Sequence, residues 1–282
     1  MEKVDIHIHS CFDDGASEMT INNIIKEAKN KKLTKIGIVI HYHKFLPSKE
    51  YKLYGNIEPE KSKIKLRKLI KDLDKINDAS IQIKLGIETE IIDTDGNLNC
   101  YDEIFEKVDY ILCACHWLPD EILPSNLTIL IYKDREKAIQ YYKSYQYKKI
   151  IDNFGRERII EKYFLMYENL ISKYPGVILS HPHFGELAVY QIIENLEQVK
   201  NYLYLLSEKM EKNKISFNIT EPMVSLIETP EIDNCGIKKS FWSSLLFWIN
   251  ICKEKKIEFI PGSDAHNLEG IGKVDGCYRL IG

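Results

Sequence analysis

The chain has little arginine, almost no net charge and no long apolar run. These absences give no support to a nucleic-acid-binding or membrane-spanning protein. Its 39 basic and 42 acidic residues give a net charge of −3 and are interspersed. The sequence therefore gives no electrostatic case for a nucleic-acid or anionic-membrane partner. No apolar stretch approaches the length needed to cross a bilayer. Arginine occurs at five positions only: 67, 135, 156, 158 and 279.

Patterns of secretion and thiol chemistry are missing as well. The charged start Met1-Glu2-Lys3 leads directly into the first predicted strand, so no signal peptide is predicted. The seven cysteines are odd in number and thinly spread. Cys113 and Cys115 lie in an apolar run, and we interpret them as small core residues rather than a redox pair. These features predict a reducing, cytoplasmic setting. The sequence sets no expectation for the oligomeric state.

Seven short β-rich runs alternate with amphipathic helical patterns. Strands buried on both faces belong in parallel sheets covered by helices. Because no glycine-rich dinucleotide fingerprint is present, the alternation predicts an α/β fold, a closed or nearly closed β/α barrel. A doubly wound open sheet is the alternative. The predicted strands are Val4–His9, Ile36–Ile40, Ile81–Ile87, Val108–Cys113, Val177–Leu179, Ile215–Ile219 and Ile257–Ile260, and apolar helical stripes lie at 21–28, 66–76, 159–171, 196–210 and 241–252.

No internal repeat or linker interrupts the chain, so one domain over residues 1–282 is predicted. The segment at about 117–150 is longer than one helix needs and forms an inserted or elaborated part of that domain. It contains an apolar run at 127–132 and a tyrosine-dense run at 141–147. We predict an extra helix packed on the barrel, and a lid over the active site is the alternative.

The first strand carries a pattern typical of metal sites. With a period of two residues, Asp5, His7 and His9 point to one face of Val4–His9. Two imidazoles on one face of a strand present their nitrogens to a single point, where a metal ion can bind. Because a lone His-x-His motif is weak, a half-buried strand with solvated histidines is the alternative.

The positions of the other histidines favour the metal site. All eight histidines fall at or just beyond the carboxyl end of a predicted strand, which is the active-site end of β/α barrels. Carboxylates accompany them, and imidazole with carboxylate suits zinc, manganese or iron. So many ligands indicate two or three divalent ions, with the central Glu88 as the predicted bridge. The histidines are 7, 9, 41, 43, 116, 181, 183 and 266, and the carboxylates are Asp13, Asp14, Glu88, Glu90 and Asp264.

Taken in order, these motifs resemble those of the PHP (polymerase and histidinol phosphatase) superfamily. The run Val108–His116 and the motif Gly262-Ser-Asp-Ala-His266 are most similar to the histidinol-phosphatase branch. The resemblance spans residue 4 to about residue 270. The matching motifs are Asp5-Ile-His-Ile-His9, Asp14-Gly15, His41, Gly86-Ile-Glu88, His116, Ser180-His181-Pro182 and Gly262–His266.

The resemblance implies a distorted (β/α)7 TIM-like barrel with a trinuclear metal site at the carboxyl ends of the strands. Family members often have Thr-Asp-His where Val39-Ile40-His41 stands here, so polar groups beside that ligand are lost. His43 and His183 are additional to the ligand set. By the resemblance, His7, His9, Glu88 and Asp264 hold the first ion; Glu88, His116 and His181 the second; and Asp14, His41 and His266 the third.

The implied activity is hydrolysis of a small phosphomonoester by a metal-activated water. L-histidinol phosphate, cleaved to L-histidinol and phosphate in histidine biosynthesis, is the first candidate substrate. The metals lower the pKa of the attacking water and stabilise the phosphate oxygens. The predicted catalytic residues are Glu88, Asp264, His266 and His183, and the predicted substrate contacts are His43, His183, Arg156 and Arg158. An incidental position near the site is the alternative for His43 and His183, and a surface position for the two arginines.

Three other functions use similar residues. A phosphodiesterase or exonuclease of the same superfamily would share the metals but line its channel with basic residues. An amidohydrolase would need an eighth strand and a bridging lysine, for which no lysine is suitably placed. A non-catalytic, metal-binding accessory domain would have lost ligands, whereas all nine expected ligands are present.

Overall fold

The barrel predicted from the alternating pattern is present. Within the described residues, seven parallel strands pair in sequence order in one sheet. β1 has the predicted bounds, and the others differ from the prediction at their ends. The strands are β1 Val4–His9, β2 Lys35–Val39, β3 Gln82–Glu90, β4 Tyr110–Ala114, β5 Ile178–Ser180, β6 Ser216–Thr220 and β7 Phe259–Gly262. The computed structural model describes residues 2–13, 16–45, 59–128, 135–182, 187–188, 190–225 and 237–282.

The seam between β1 and β7 is closed at its carboxyl end. Ile8 forms a parallel bridge with Ala265, just after β7. The His9 amide donates to the Ala265 carbonyl over 2.9 Å, and the Ala265 amide donates to the His7 carbonyl over 3.3 Å. Towards the amino end, a cavity of about 480 Å³ is lined by residues that include Val4 and Ile260. The barrel is therefore nearly closed, and its tightest closure lies beside His7 and His9.

Helices cover the outside of the barrel. Thr20 caps α1 by accepting from the Asn23 amide over 3.3 Å, and the buried face of α1 is the predicted stripe. The stripe at 196–210 begins as a short 3-10 helix, Leu196–Gln198, before α7 starts at Lys200. The helices are α1 Ile21–Asn30, α2 Pro59–Leu73, α3 Ser125–Thr128, α4 Arg135–Lys143, α5 Tyr145–Phe154, α6 Arg156–Lys173, α7 Lys200–Asn213, α8 Glu221–Ser225, α9 Ile237–Glu254 and α10 Asp275–Ile281. Among the described helices, none is both long and apolar enough to cross a membrane.

The tyrosine-dense segment forms α4 and α5. Tyr142 and Tyr147 are fully buried, with ring centroids 4.8 Å apart. The Tyr142 hydroxyl donates to the Thr128 carbonyl over 3.1 Å, which ties α4 to α3. Burial of these aromatic rings explains why so polar a run forms packed helices. Residues 129–134, which include most of the apolar run at 127–132, lie outside the described residues.

Tyr110 spans the interior of the barrel. Its hydroxyl donates to the Ile6 carbonyl over 2.7 Å, joining β4 to β1. Two glycines make room for the ring: a Cβ on Gly37 would lie 2.1 Å from the hydroxyl, and a Cβ on Gly86 would lie 2.4 Å from Cζ. These glycines are therefore required by packing, close to the separate inner cluster of Ile6, Val39, Leu112 and Ile178.

We expect Gly86→Ala to destabilise the fold by about 1–3 kcal/mol, because overpacking of a filled core costs that much. Urea denaturation measures the free energy of unfolding. The same substitution in a Tyr110→Leu background should cost much less, because all three nearest atoms at this position belong to the Tyr110 ring. Equal costs in the two backgrounds would contradict the assigned clash.

Candidate metal centre

Four buried or nearly buried side chains converge at the carboxyl end of the barrel. On β1, the Nε2 atoms of His7 and His9 lie 3.1 Å apart. Glu88 on β3 brings Oε2 within 3.3 and 3.4 Å of these two nitrogens. Asp264, in the loop after β7, places Oδ1 at 3.5 and 3.2 Å from them. One potential ligand atom from each residue lies within 4.8 Å of the others, so the four could hold one ion.

Glu88 also contacts a second set of histidines. Its Oε2 lies 3.2 Å from His41 Nε2. Its Oε1 lies 2.9 Å from His181 Nε2 and 3.9 Å from His116 Nε2. His41, Glu88 and His116 form another group that could hold an ion. The two carboxylate oxygens of Glu88 thus face different nitrogens, an arrangement suited to a bridging ligand.

A third group lies closer to solvent. His9, His41 and His266 could together hold an ion, and the His266 side chain is 42% exposed. The rings of His9 and His266 stack with centroids 4.0 Å apart. Asp14, which the family resemblance adds to this group, lies outside the described residues, as does His183.

The hydrogen bonds around the cluster fit a cation. His7 Nδ1 lies 3.0 Å from the side-chain oxygen of Asn218, and His9 Nδ1 lies 2.6 Å from Asp13 Oδ2. With their protons on Nδ1, both imidazoles direct Nε2 lone pairs towards each other. Glu88 Oε2, which these nitrogens surround, is buried and accepts no hydrogen bond. Basic nitrogens converging on an unsatisfied carboxylate oxygen are the donor set that zinc and similar ions bind.

Two carboxylates orient the ligands from behind. Asp13 accepts from the His41 amide over 3.0 and 3.1 Å in addition to contacting His9. Glu90 accepts from the His116 amide over 3.0 Å and contacts His116 Nδ1 with its other oxygen. Sequence reasoning placed both acids at the site without a role. Their signal was their spacing, since Asp13 follows His9 by four residues and Glu90 follows Glu88 by two.

Asp5, on the same face of β1 as His7 and His9, fixes the turn that carries Asp264. It is fully buried. Its Oδ1 accepts from the amides of Ser263 and His7 over 2.9 and 3.3 Å, and its Oδ2 accepts from the Gly272 amide over 2.8 Å. The backbone of Asp264 has φ 55°, a left-handed conformation that residues other than glycine rarely adopt. The bonds from Asp5 hold the backbone beside this residue.

The carboxylates set the charges of the histidines in the metal-free protein. Burial and His9 oppose a charge on His41, but Asp13 and Glu88 raise its pKa to about 9. Burial likewise opposes a charge on His116, but Glu90 and Glu88 raise its pKa to about 10. Burial disfavours the charged form of Glu88, yet the surrounding histidines hold its pKa well below the usual range. The cluster therefore combines ionised carboxylates with protonated imidazoles. A metal ion that binds these imidazoles displaces their protons.

The residues predicted to contact the substrate lie in different environments from one another. His43 is buried with its ring centroid 6.2 Å from those of His41 and Trp117, and burial lowers its pKa to about 4, so it is neutral. Arg156 donates to the carbonyls of Gln191 and Ile192 and to the Asp152 carboxylate. These contacts favour a structural role for Arg156. Arg158 is exposed on α6. Phosphate binding by either arginine stays a prediction.

Histidines and carboxylates gather at the carboxyl end of a parallel β/α barrel. The protein is therefore a β/α barrel with a candidate multinuclear metal centre. The profile of the PHP domain family matches residues 5–221, and the chain belongs to that family. No curated protein sequence matches the chain significantly.

Solved structures that share the fold include two proteins named as histidinol phosphatases. One is the histidinol phosphate phosphatase of Lactococcus lactis in complex with zinc, L-histidinol and phosphate: 16% identity, a TM-score of 0.58, and coverage of 99% of this chain and 92% of that one. The other is a protein from Listeria monocytogenes assigned as a histidinol phosphatase: 16% identity, a TM-score of 0.63, and coverage of 98% and 100%. At this identity, the likeness establishes the fold.

Proposed function

We propose that the protein is a metal-dependent phosphoesterase that hydrolyses a small phosphomonoester. The observation that carries the proposal is the position of Glu88. Its two oxygens face separate sets of histidines, as a carboxylate shared by two ions would. Paired ions of this kind are typical of enzymes that cleave phosphate esters. Membership of the PHP family points to the same chemistry.

Three groups of residues would hold the ions. His7, His9, Glu88 and Asp264 would hold the first, and Glu88, His116 and His181 the second. His41 and His266 would hold the third, together with Asp14. When bound, such ions lower the pKa of water and stabilise the charge on phosphate oxygens.

The protein's own contribution is orientation and charge. Asp13 and Glu90 fix the rings of His9 and His116, while Glu88 and Asp264 supply negative charge. His266 donates from Nδ1 to the Asp264 carbonyl over 3.1 Å, which leaves Nε2 as its basic nitrogen. We propose Glu88, Asp264, His266 and His183 as the catalytic residues. His43, which is neutral and buried next to the cluster, and His183 are the proposed substrate contacts.

L-histidinol phosphate is the first candidate substrate. The Lactococcus lactis protein of the same fold holds zinc, L-histidinol and phosphate. Trp117 lies beside both His43 and His116, with ring centroids 6.2 and 6.1 Å away, and is therefore proposed to line the substrate pocket with them. A biosynthetic role in histidine formation follows only if that substrate is cleaved in preference to others.

Phosphate release from a panel of esters tests the proposal. The protein is stripped of metal and reloaded with zinc, manganese or iron, then supplied with histidinol phosphate, a nucleotide or an aryl phosphate. We expect rapid release from histidinol phosphate and loss of activity in His9→Ala and Asp264→Ala. Lys148→Ala, an exposed position on α5, is the matched control and should retain full activity.

Other outcomes separate the parts of the proposal. Activity on the other esters alone would retain the metal chemistry and exclude histidinol phosphate. Cleavage of a phosphodiester in preference to every monoester would exclude the monoesterase. A metal-loaded protein without turnover on any ester would exclude the hydrolase and favour an accessory metal-binding domain.

A further inference from the structure

We propose that Asn218 on β6 is a positioning residue of the metal centre, whose side-chain amide fixes both the ring orientation and the proton position of His7. The inference rests on the proposed function in so far as the cluster binds metal. It concerns a residue that neither ligates an ion nor belongs to the motifs singled out in the sequence. Asn218 is fully buried, as is His7.

The hydrogen bonds of Asn218 settle which way its amide faces. Its Nδ2 donates to the Ile260 carbonyl over 2.9 Å. A main-chain carbonyl can only accept, so the NH₂ group must lie on that side. Oδ1 then faces His7 Nδ1 over 3.0 Å. Because this oxygen can only accept, His7 carries a proton on Nδ1, and the neutral ring that binds a metal ion must direct the lone pair of Nε2 into the cluster.

Ser180 is the more distant acceptor for His7, because its hydroxyl oxygen lies 3.5 Å from His7 Nδ1, compared with 3.0 Å for Asn218 Oδ1. Its hydroxyl lies 3.0 Å from Glu88 Oε1 and 3.4 Å from Asn218 Oδ1. A hydroxyl has one proton to donate, and a hydrogen bond to a nearby carboxylate is the stronger of the two. The Ser180 proton therefore goes to Glu88, and Asn218 remains the acceptor for His7.

An amide suits this position better than the carboxylates that serve the other histidines. Asp13 and Glu90 accept from His9 and His116, whereas the group beside His7 must also donate to the Ile260 carbonyl. Gly262 allows the close approach, since a Cβ there would lie 2.6 Å from His7 Cβ and 2.8 Å from Asn218 Nδ2. One side chain thus connects β6, β7 and β1 directly behind a ligand.

Metal release tests the role independently of any substrate. The zinc-loaded protein is mixed with excess chelator, and the rate of zinc loss is followed. Asn218→Ala should release zinc about 10–100-fold faster, the usual effect of losing a partner behind a metal-bound histidine. The visible spectrum of the cobalt-substituted protein should change in the same variant, because the His7 ring is free to turn.

Further variants separate positioning from packing. Asn218→Leu keeps a similar volume but has no acceptor for His7 Nδ1, so it should release zinc about as fast as Asn218→Ala. Asn218→Asp keeps both the volume and the acceptor, so it should release zinc more slowly than either. Thr220→Val is the matched control, because Thr220 is buried two residues along the same strand and its hydroxyl has no hydrogen-bond partner among the described residues. It should leave the rate of zinc release within about twofold of the original. Such a change is smaller than the effect expected from losing the hydrogen bond at Asn218.

Several results would overturn the inference. Zinc release from Asn218→Leu at the original rate would show that only packing matters. An unchanged rate or cobalt spectrum in Asn218→Ala would remove the role of Asn218 altogether. Failure of the original protein to bind zinc or cobalt would overturn the proposed function as well, whereas normal metal release without ester hydrolysis would exclude only the phosphatase.

Discussion

Replacing Glu88 with glutamine should lower kcat/KM for phosphoester hydrolysis by about a thousandfold. Paired ions supply several kcal/mol of charge stabilisation, and about 1.4 kcal/mol corresponds to tenfold in rate. Glutamine keeps the volume of Glu88 but removes its charge, and it turns one of the two oxygens into a donor facing basic nitrogens. Phosphate release under saturating metal gives kcat/KM, and metal content after gel filtration gives the stoichiometry.

Glu90→Gln is the matched control for this experiment. Glu90 is also buried, lies two residues further along β3, and contacts His116 rather than both sets of ligands. Its loss should lower activity or metal affinity by about 10–100-fold, as expected for a partner behind a ligand. A Glu88→Gln variant with full metal content and activity within tenfold of the original would disprove a bridging role.

Metal affinity should rise steeply with pH. In the metal-free protein the pKa values of His41 and His116 are about 9 and 10, so both are protonated at pH 7. Filling the second and third metal sites, to which His116 and His41 are assigned, would displace both protons. The combined affinity for these two ions should therefore increase by up to about a hundredfold per pH unit between pH 7 and 9. Calorimetric titration in buffers of different ionisation enthalpy counts the protons released.

His41→Gln should release one proton fewer on metal binding and show a shallower pH dependence. Metal uptake without proton release at pH 7 would contradict the assigned protonation states. The folded-state pKa of His41, about 9, lies above its unfolded value of 6.5. His41 therefore stabilises the metal-free fold fully below pH 6.5, and this contribution is lost as the pH rises through about 9.

The strands could be predicted because barrel strands buried on both faces are unusually apolar. Ile38 and Val39 point to opposite faces of β2 and are both fully buried, and such runs have few alternative interpretations. The exact ends of the strands are harder to predict from sequence, because a strand ends where it stops pairing with its neighbour. β3 continues to Glu90 through its pairing with Ala114 of β4, a contact that no local pattern contains. The helical stripe at 196–210 shows the same limit. Its apolar spacing does not distinguish the 3-10 helix Leu196–Gln198 from the α-helix that begins at Lys200.

The family motifs marked the residues that converge, but not the residues that orient them. Asn218 stands in an otherwise ordinary strand, and a single buried amide has no sequence periodicity of its own. Its partner His7 and its acceptor Ile260 are distant in the chain, so only the assembled barrel brings them together. Arg156 illustrates a related limit. The family resemblance makes it a candidate phosphate contact, and only the fold shows that its guanidinium also binds the Gln191 and Ile192 carbonyls.

The seam between β1 and β7 joins segments that lie far apart in the sequence, since the hydrogen bond between Ser263 and Asp5 spans 258 residues. During synthesis β1 emerges before β7, so His7 and His9 cannot meet Asp264 until all the residues between them have been made. Such long-range closure is entropically slow and is rewarded only when the last strand docks. A truncated chain lacking β7 would therefore expose two histidines without the carboxylate that completes their group. The first group of candidate ligands is therefore complete only after β7 and the turn that follows it have docked on β1.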